Sequence, residues 1–425
     1  MAFPFPDKNN HLVKIDRLVL KGLDRTDKTW LTEYAGLESL PVTLSQESLS
    51  FIKDKLLSTR VFKRVELRVT EHAEPSDFSV LEITVEEKWT LIPVLRAQTG
   101  GGTPLLVAGS YNTHSFGQYL TLGGEFRKYG DAPPGSVIFA KGPASWRGHP
   151  DWALELWRDV RFRHEYHSDD RKTGHSEYKG FRFRGRALWG TRWFQSDQLK
   201  LGFDALFYKY QDVLTIADQT QESLPLKENA KAHSSLAGRL WLMLQYDDIV
   251  ADNIQYDGLR VLIRQGMGRE QSARPFYSGE SEIFWYTRPT STLNLGFHFL
   301  GAVNHTDSVF GRYYLGGFDS VRGLPDGVDY GNKIWYTNAE LRYLSQTWDK
   351  VWLQSVGFVD VGKASDQLFL SDSGIRSAAG VGIRVVVPKI YRFVIRLDYA
   401  WALDRSGQRG FSAGLNHLFQ PYRPL

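Results

Sequence analysis

Arg322 sits in the run Tyr313-Tyr314-Leu315-Gly316-Gly317-Phe318-Asp319-Ser320-Val321-Arg322-Gly323-Leu324. Its guanidinium is permanently charged and presents a rigid fork of donors, which suits two-point recognition of a carboxylate. Two carboxylates follow on segments that alternate polar and apolar residues. Glu340 shares a face with Asn338 and Arg342, and Asp360 lies in Phe358-Val359-Asp360-Val361-Gly362. If Arg322 meets either carboxylate away from bulk water, removing the arginine would cost about 3–5 kcal/mol. Such a clasp can take part in a mechanism or simply brace a fold, and the residues alone leave both open. The glycines at 316, 317 and 323 would let this segment pass close to neighbouring backbone.

Arginines recur elsewhere. Arg182, Arg184 and Arg186 alternate with Phe181 and Phe183, and Arg158 lies upstream. Together they predict a basic lining that could attract phosphates or an acidic substrate, or could merely keep an interior polar. His164, His167, Asp169, Asp170 and His175 are metal-ligating types, but their spacing matches no ligand motif. No metal and no cofactor is predicted. Gly100-Gly101-Gly102 opens no helix, so it reads as a turn rather than a phosphate cradle. No Gly-x-Ser-x-Gly elbow occurs, and nothing selects a serine for the inward-parity His298. The chain is therefore read as a non-enzyme.

Composition says what must position these residues. The 425 residues suit two domains. Cysteine is absent, which excludes disulfides and thiolate metal sites. The net charge of +4, from 52 basic and 48 acidic residues, is too balanced to imply a nucleic-acid partner. Aromatics make up 14% of the chain, more than a soluble enzyme usually needs, and aromatic girdles are a feature of barrels in lipid. The mean hydropathy of −0.35 agrees with such a barrel, because only alternate strand residues face lipid. No run of about 18 apolar residues predicts a transmembrane helix. Met1-Ala-Phe-Pro-Phe-Pro lacks a basic region followed by an apolar run, so any leader is taken as removed.

Two regions follow a short tail at 1–10. Residues 11–88 predict a small α+β domain in the order β-α-α-β-β. Its first strand spans His11–Leu20, its helices Trp30–Leu37 and Gln46–Leu57, the second capped by Thr43 or Ser45, and its last strands Phe62–Thr70 and Phe78–Glu86. Residues 89–419 change period. Sixteen segments of about ten alternating residues, from Trp89–Gly100 to Gly410–Phe419, are separated by breaks rich in Gly, Pro and Asp. Short connections alternate with long ones at Glu165–Gly180, Asp212–Ser234 and His305–Asn332, and Trp146, Trp193, Trp348 and Tyr391 fall beside short turns as an inner girdle should. In Tyr391–Leu403, Phe393, Ile395, Leu397, Tyr399, Trp401 and Leu403 share one face, and Arg392, Arg396 and Asp398 the other. An arginine facing lipid costs about 2–4 kcal/mol at the midplane, so the charged faces must point into a wet lumen. The predicted fold is an all-β transmembrane barrel of sixteen antiparallel strands behind one small α+β domain. Residues 420–425 form a C-terminal tail.

Several motifs, in order, resemble the POTRA-plus-barrel outer-membrane superfamily that includes BamA, TamA and the two-partner-secretion transporters. They are Val321-Arg322-Gly323, with Leu324 where an aromatic would stand; Asn338-Ala339-Glu340-Leu341-Arg342; Phe358-Val359-Asp360-Val361-Gly362; Gly380-Val381-Gly382; and Arg396-Leu397-Asp398-Tyr399. The closing strand, with Phe411, Leu415 and Phe419, is similar to the family's C-terminal signal. The resemblance implies a bacterial outer-membrane protein whose POTRA domain lies in the periplasm and meets a protein substrate or partner there. It implies insertion or translocation of proteins, in a specialised role because residues 11–88 hold one such domain. The alternative is binding or transport of outer-membrane lipid through the lumen or seam, as a possible homodimer.

Overall fold

The computed structural model describes residues 12–59, 61–70, 79–98, 104–129, 134–142, 151–158, 162–168, 171–190, 199–216, 234–252, 255–270, 275–305, 312–317, 320–325, 327–366, 374–388, 394–404 and 407–415. The chain opens with β1 (Val13–Ile15), β2 (Arg17–Lys21), α1 (Lys28–Ala35), β3 (Val42–Leu44), α2 (Gln46–Ser58), β4 (Phe62–Thr70) and β5 (Val80–Glu87). Asp27 caps α1 by accepting from Trp30 N, and Ser45 caps α2 by accepting from Ser48 N. Each supplies a partner to an orphan first-turn amide. Leu31, Ile52 and Leu56 turn inward from the helices onto Val65, Leu81 and Ile83 of the sheet. That sheet has the order β2-β5-β4, with β2 parallel and β4 antiparallel to β5.

The single first strand expected over His11–Leu20 is broken at Asp16. The amides of Asp16 and Arg17 both donate to Ser79 O, and the Asp16 carboxylate accepts from Ser79 N. This bracket bends the chain. Its first half then pairs with β3 and its second with β5.

The rest is one closed antiparallel barrel. Its strands are β6 (Leu91–Gln98), β7 (Leu105–Ser115), β8 (Leu120–Tyr129), β9 (Gly135–Gly142), β10 (Asp151–Arg158), β11 (Phe162–Ser168), β12 (Arg171–Gly190), β13 (Leu199–Ile216), β14 (Ser234–Asp247), β15 (Val250–Asp252), β16 (Gln255–Glu270), β17 (Phe276–Thr287) and β18 (Leu293–Asn304), then β21 (Lys333–Thr347), β22 (Trp352–Ser365), β23 (Arg376–Val386), β24 (Val394–Ala402) and β25 (Arg409–Leu415). β10 and β11 both pair with β12, and β14 and β15 both pair with β16, so these pairs share positions and the wall is sixteen strands around. Between β18 and β21, β19 (Tyr313–Leu315) and β20 (Asp329–Gly331) form a separate two-stranded ribbon.

Alternation explains the wall. Leu240, Leu242 and Leu244 are exposed on the outer face of β14, while Trp241 and Met243 between them are buried. On β24, Ile395, Leu397, Tyr399 and Trp401 point out and Arg396 and Asp398 point in. Hydrocarbon on one side and a polar lumen on the other require this period of two.

One connection differs from expectation. Residues 165–180 were predicted as a long loop, yet β11 and β12 form a hairpin there, and β12 stays paired with β13 as far as Gly174↔Ile216. The sequence from Glu165 to Gly180 lacks the apolar alternation that announces a strand. Of the four girdle aromatics, Trp146, Trp193 and Tyr391 lie outside the described residues, and Trp348 is exposed in the turn between β21 and β22.

Candidate functional site

The ribbon of β19 and β20 carries its tip into the barrel. Val321 and Leu324 are fully buried and pack with Leu315 and Val328 against Ala302, Ile334, Ala364 and Ala378 of the wall. The tip closes on itself. Ser320 Oγ accepts from Gly316 N at 2.8 Å and donates to Gly316 O at 2.9 Å, and Gly317 N donates to Leu324 O. Gly323 has φ +84°, and a Cβ there would lie 3.0 Å from Ala400. Only glycine combines that backbone with that approach.

These constraints hold Arg322, 1% exposed, against three strands. Its Nε donates to Asp360 Oδ2 at 2.7 Å and its Nη2 to Asp360 Oδ1 at 2.8 Å; the backbone N of Arg322 adds a third bond to Oδ2 at 3.1 Å. Nη1 donates to Glu340 Oε1 at 2.8 Å and to Asp398 Oδ2 at 3.4 Å. The guanidinium carbon lies 3.4 Å from the centre of the Phe358 ring, whose electron-rich face favours a cation.

A second set of arginines saturates the carboxylates. Arg342 Nε and Nη2 reach Glu340 Oε2 at 2.8 and 2.7 Å. Arg384 Nη1 reaches Asp398 Oδ1 at 2.5 Å, and its Nη2 lies 3.4 Å from Glu340 Oε1. Arg396 Nε is 3.5 Å from Asp398 Oδ2. Each of the six carboxylate oxygens thus faces at least one guanidinium. None is free to serve as a base, and the chemistry on offer is recognition and latching. Asn338 ties the tip to this set by donating to Ser320 O at 2.6 Å and to Asp360 Oδ1 at 2.9 Å. His298 then links Asn338 Oδ1 to Glu282 Oε1, both at 3.1 Å.

A second charged layer lies on β12, β13 and β16. Asp204, fully buried, accepts from Arg184, Arg186 and Arg264, with Arg184 giving the two-point contact. Arg264 also pairs with Glu280.

The Omp85 superfamily domain matches residues 160–419, more than half of the chain. The chain belongs to the Omp85 superfamily. No curated protein matches it in sequence. In fold it is similar to BamA from Haemophilus ducreyi lacking POTRA domains 1–3 (13% identity, 95% of this chain and 84% of that chain, TM-score 0.58). It is also similar to CdiB from Acinetobacter baumannii (14%, 95% and 74%, TM-score 0.59) and CdiB from Escherichia coli (10%, 98% and 92%, TM-score 0.55). An Omp85 barrel belongs in the bacterial outer membrane, so the outward leucines and aromatics face lipid.

Within this Omp85 barrel the predicted residues separate. Val321, Arg322, Gly323, Leu324, Glu340 and Asp360 come together at the loop tip. Arg184 and Arg186 point inward at Asp204, and the side chain of Arg182 lies outside the described ones. Arg158, expected in the lumen, is a correction. It is exposed and shares its face with Leu154, while Glu155 and Trp157 occupy the inner face. At the end of β10 its long stem can carry the charge away from hydrocarbon. Phe411 points outward from β25; the side chain of Leu415 and all of Phe419 fall outside the described residues. His164, His167 and His175 map to the β11–β12 hairpin, and Asp169 and Asp170 lie outside the described residues; among those described, no cluster of His, Asp and Glu could hold a metal ion. Sequence reasoning did not pair Asp398 or place Phe358 under the arginine. Inward parity on β22 and β24 was the available signal for both.

Proposed function

We propose that this Omp85 protein inserts or translocates protein substrates at the outer membrane, with its N-terminal domain in the periplasm serving as a POTRA domain. The observation that carries this reading is the clasp of Arg322 on Glu340, Asp360 and Asp398. It fixes a loop across the lumen, which disfavours a permanently open pore and favours a barrel whose passage or wall is gated. The clasp bears on β21, β22 and β24, close to where the barrel closes. Among the described residues that closure between β25 and β6 has two pairs, Ser412↔Gln98 and Ala413↔Ala97. The interstrand ladders beside it are longer, with seven pairs between β24 and β25. A short seam next to a latched loop suits lateral release of a strand-forming client. β2 and β4, at the two edges of the N-terminal sheet, offer backbone groups for adding a client strand.

The test is depletion of the protein in its native host, followed by quantitative proteomics of outer-membrane and exported proteins. Loss of one or a few barrels or exported proteins supports the proposal and marks a specialised client range. An unchanged proteome with phospholipid displaced to the outer leaflet would overturn it in favour of lipid handling.

A further inference from the structure

β6, the first strand of the wall, carries a proline near its start, Pro93. Proline has no N–H to give to a ladder, so within sheets it belongs on an edge or at a bulge. A fully closed barrel has no edge. The side to which Pro93 turns its nitrogen therefore decides whether the wall is complete there.

The phase of the ladders fixes that side. All eight residues of β6 pair with β7, from Leu91↔Asn112 to Gln98↔Leu105. One step before Leu91, Thr113 N donates to Thr90 O at 3.1 Å, in the same register. Bonded and non-bonded pairs alternate in an antiparallel ladder. Ile92, Val94, Arg96 and Gln98 thus turn their backbone groups to β7. Leu91, Pro93, Leu95 and Ala97 turn theirs away from it, across the seam to β25. On the far side, Ala402 N donates to Gln408 O, in register with Trp401↔Arg409. Gly410, Ser412 and Gly414 are therefore bonded to β24, and Phe411, Ala413 and Leu415 face β6. The two phases agree, because Ala97↔Ala413 is a pair of the seam. From that pair toward the N-terminal domain, the next bonded position is Leu95 with Leu415. Both are described strand residues, yet they are not paired, and the position after them falls on Pro93. β6 is not loose there, since Ile92 and Val94 are buried with Val107 and Tyr111. The strand is held on one side and open on the other.

We propose that Pro93 is a zipper stop for the barrel seam. It confines closure to the half of β6 beyond it and keeps the half nearest the N-terminal domain as a standing strand edge. A pair at Leu95 would end the ladder, because no bond is available at Pro93 to continue it, and an end pair frays. On the reading that the barrel inserts or translocates proteins, on which this consequence rests, the open half is the one a client reaches from the periplasm. A client strand then pairs with β6 without first breaking the closed half of the seam.

The chain has no cysteine, so cysteine pairs introduced across the seam report its closure directly. The test uses the full chain reconstituted in phospholipid bilayers, and the readout is the rate of oxidative crosslinking. Ala97→Cys with Ala413→Cys marks the closed half. Leu95→Cys with Leu415→Cys marks the next bonded position, with its side chains on the same face. The second pair should crosslink at least about fivefold more slowly than the first, the equivalent of one net hydrogen bond. Pro93→Ala supplies the missing N–H. It should raise the rate at 95 and 415 by about the same factor and leave the rate at 97 and 413 unchanged. Without cysteines, Pro93→Ala should also slow hydrogen exchange at the Leu95 amide. Heat-modifiable gel mobility confirms that each variant is folded. Equal rates at the two positions with Pro93 in place would mean that the seam is zipped past Ala97, and would overturn the stop. So would a folded Pro93→Ala chain with unchanged crosslinking at 95 and 415 and unchanged exchange at Leu95. Neither result bears on whether the barrel inserts proteins, because no client is present.

Discussion

Arg322 grips Asp360 at two points, Nε to Oδ2 at 2.7 Å and Nη2 to Oδ1 at 2.8 Å, from a loop to the wall strand beneath it. The planar fork makes this possible, and lysine cannot reproduce it. Arg322→Ala leaves Asp360 buried with Asn338 as its remaining side-chain donor and removes a cation from Glu340 and Asp398. The expected loss is about 3–5 kcal/mol. Arg322→Lys should be intermediate, keeping charge but not geometry. Heat-modifiable mobility measures both, and a midpoint unchanged in Arg322→Ala would show that the clasp holds nothing.

Glu340 receives Arg322, Arg342 and Arg384 at once. Glu340→Gln therefore removes a charge shared by three guanidiniums, of which Arg322 keeps Asp360 and Asp398 and Arg384 keeps Asp398. It should destabilise the barrel more than Asp398→Asn, because Glu340 holds both Arg322 and Arg342 within 2.8 Å whereas Asp398 holds Arg384 at 2.5 Å and its other two arginines at 3.4 and 3.5 Å. It should also be non-additive with Arg322→Ala, because both remove the same pair. A double-mutant cycle on thermal midpoints tests this; simple additivity would place the two residues in separate networks.

Gly323→Ala tests the close approach of the tip to the wall. The substitution adds a Cβ at φ +84°, 3.0 Å from Ala400. Strain of about 1–3 kcal/mol is expected from the backbone alone. Gly357→Ala is the matched control on β22, with nothing within 4 Å of its Cβ. If both variants melt together, the tip does not lie against β24 as the geometry requires.

Much of this architecture was legible because a strand has only two faces. Asn338, Glu340 and Arg342 alternate with apolar residues, and so do Arg396 and Asp398. The inner wall could therefore be written down before any register was known. Which inner residues meet is another matter. Asp398 joins Glu340 and Asp360 around one arginine only because shear brings three strands to a common level and the tip descends to it. Neither quantity has a local signal. Arg158 was misplaced for the opposite reason: a charged side chain at a strand end suggests a lumen. The neighbours Leu154 and Leu156 share its face, and strand parity weighs more than charge there. The β11–β12 hairpin has no local signal because the sequence from Glu165 to Gly180 does not alternate apolar with polar residues.

The turn after β7 bears on the start of α1: Asp27 N donates to Gly117 O at 3.1 Å, and a Cβ on Gly117 would meet Arg25 O at 2.4 Å. His114 Nδ1 accepts from Tyr119 N at 2.9 Å, so that nitrogen is unprotonated and the ring proton sits on Nε2. Nε2 then donates to Thr26 Oγ1 at 2.9 Å, and Thr26 Oγ1 donates to Glu87 Oε1 at 2.6 Å. The three side chains form one directional chain from barrel turn to domain, with Trp30 set edge-on to the imidazole. Thr26→Val keeps the shape and deletes the middle link, stranding a buried Nε2–H at a cost of about 1–3 kcal/mol. That cost falls on the junction and not on either core. The variant should keep its barrel melting midpoint while the Asp27 amide exchanges hydrogen about tenfold faster or more. Thr26→Ser, which restores the hydroxyl, should return exchange toward the original rate. Unaltered exchange in Thr26→Val would mean that the domain is held by its aromatic contacts and that the hydrogen-bonded chain is incidental.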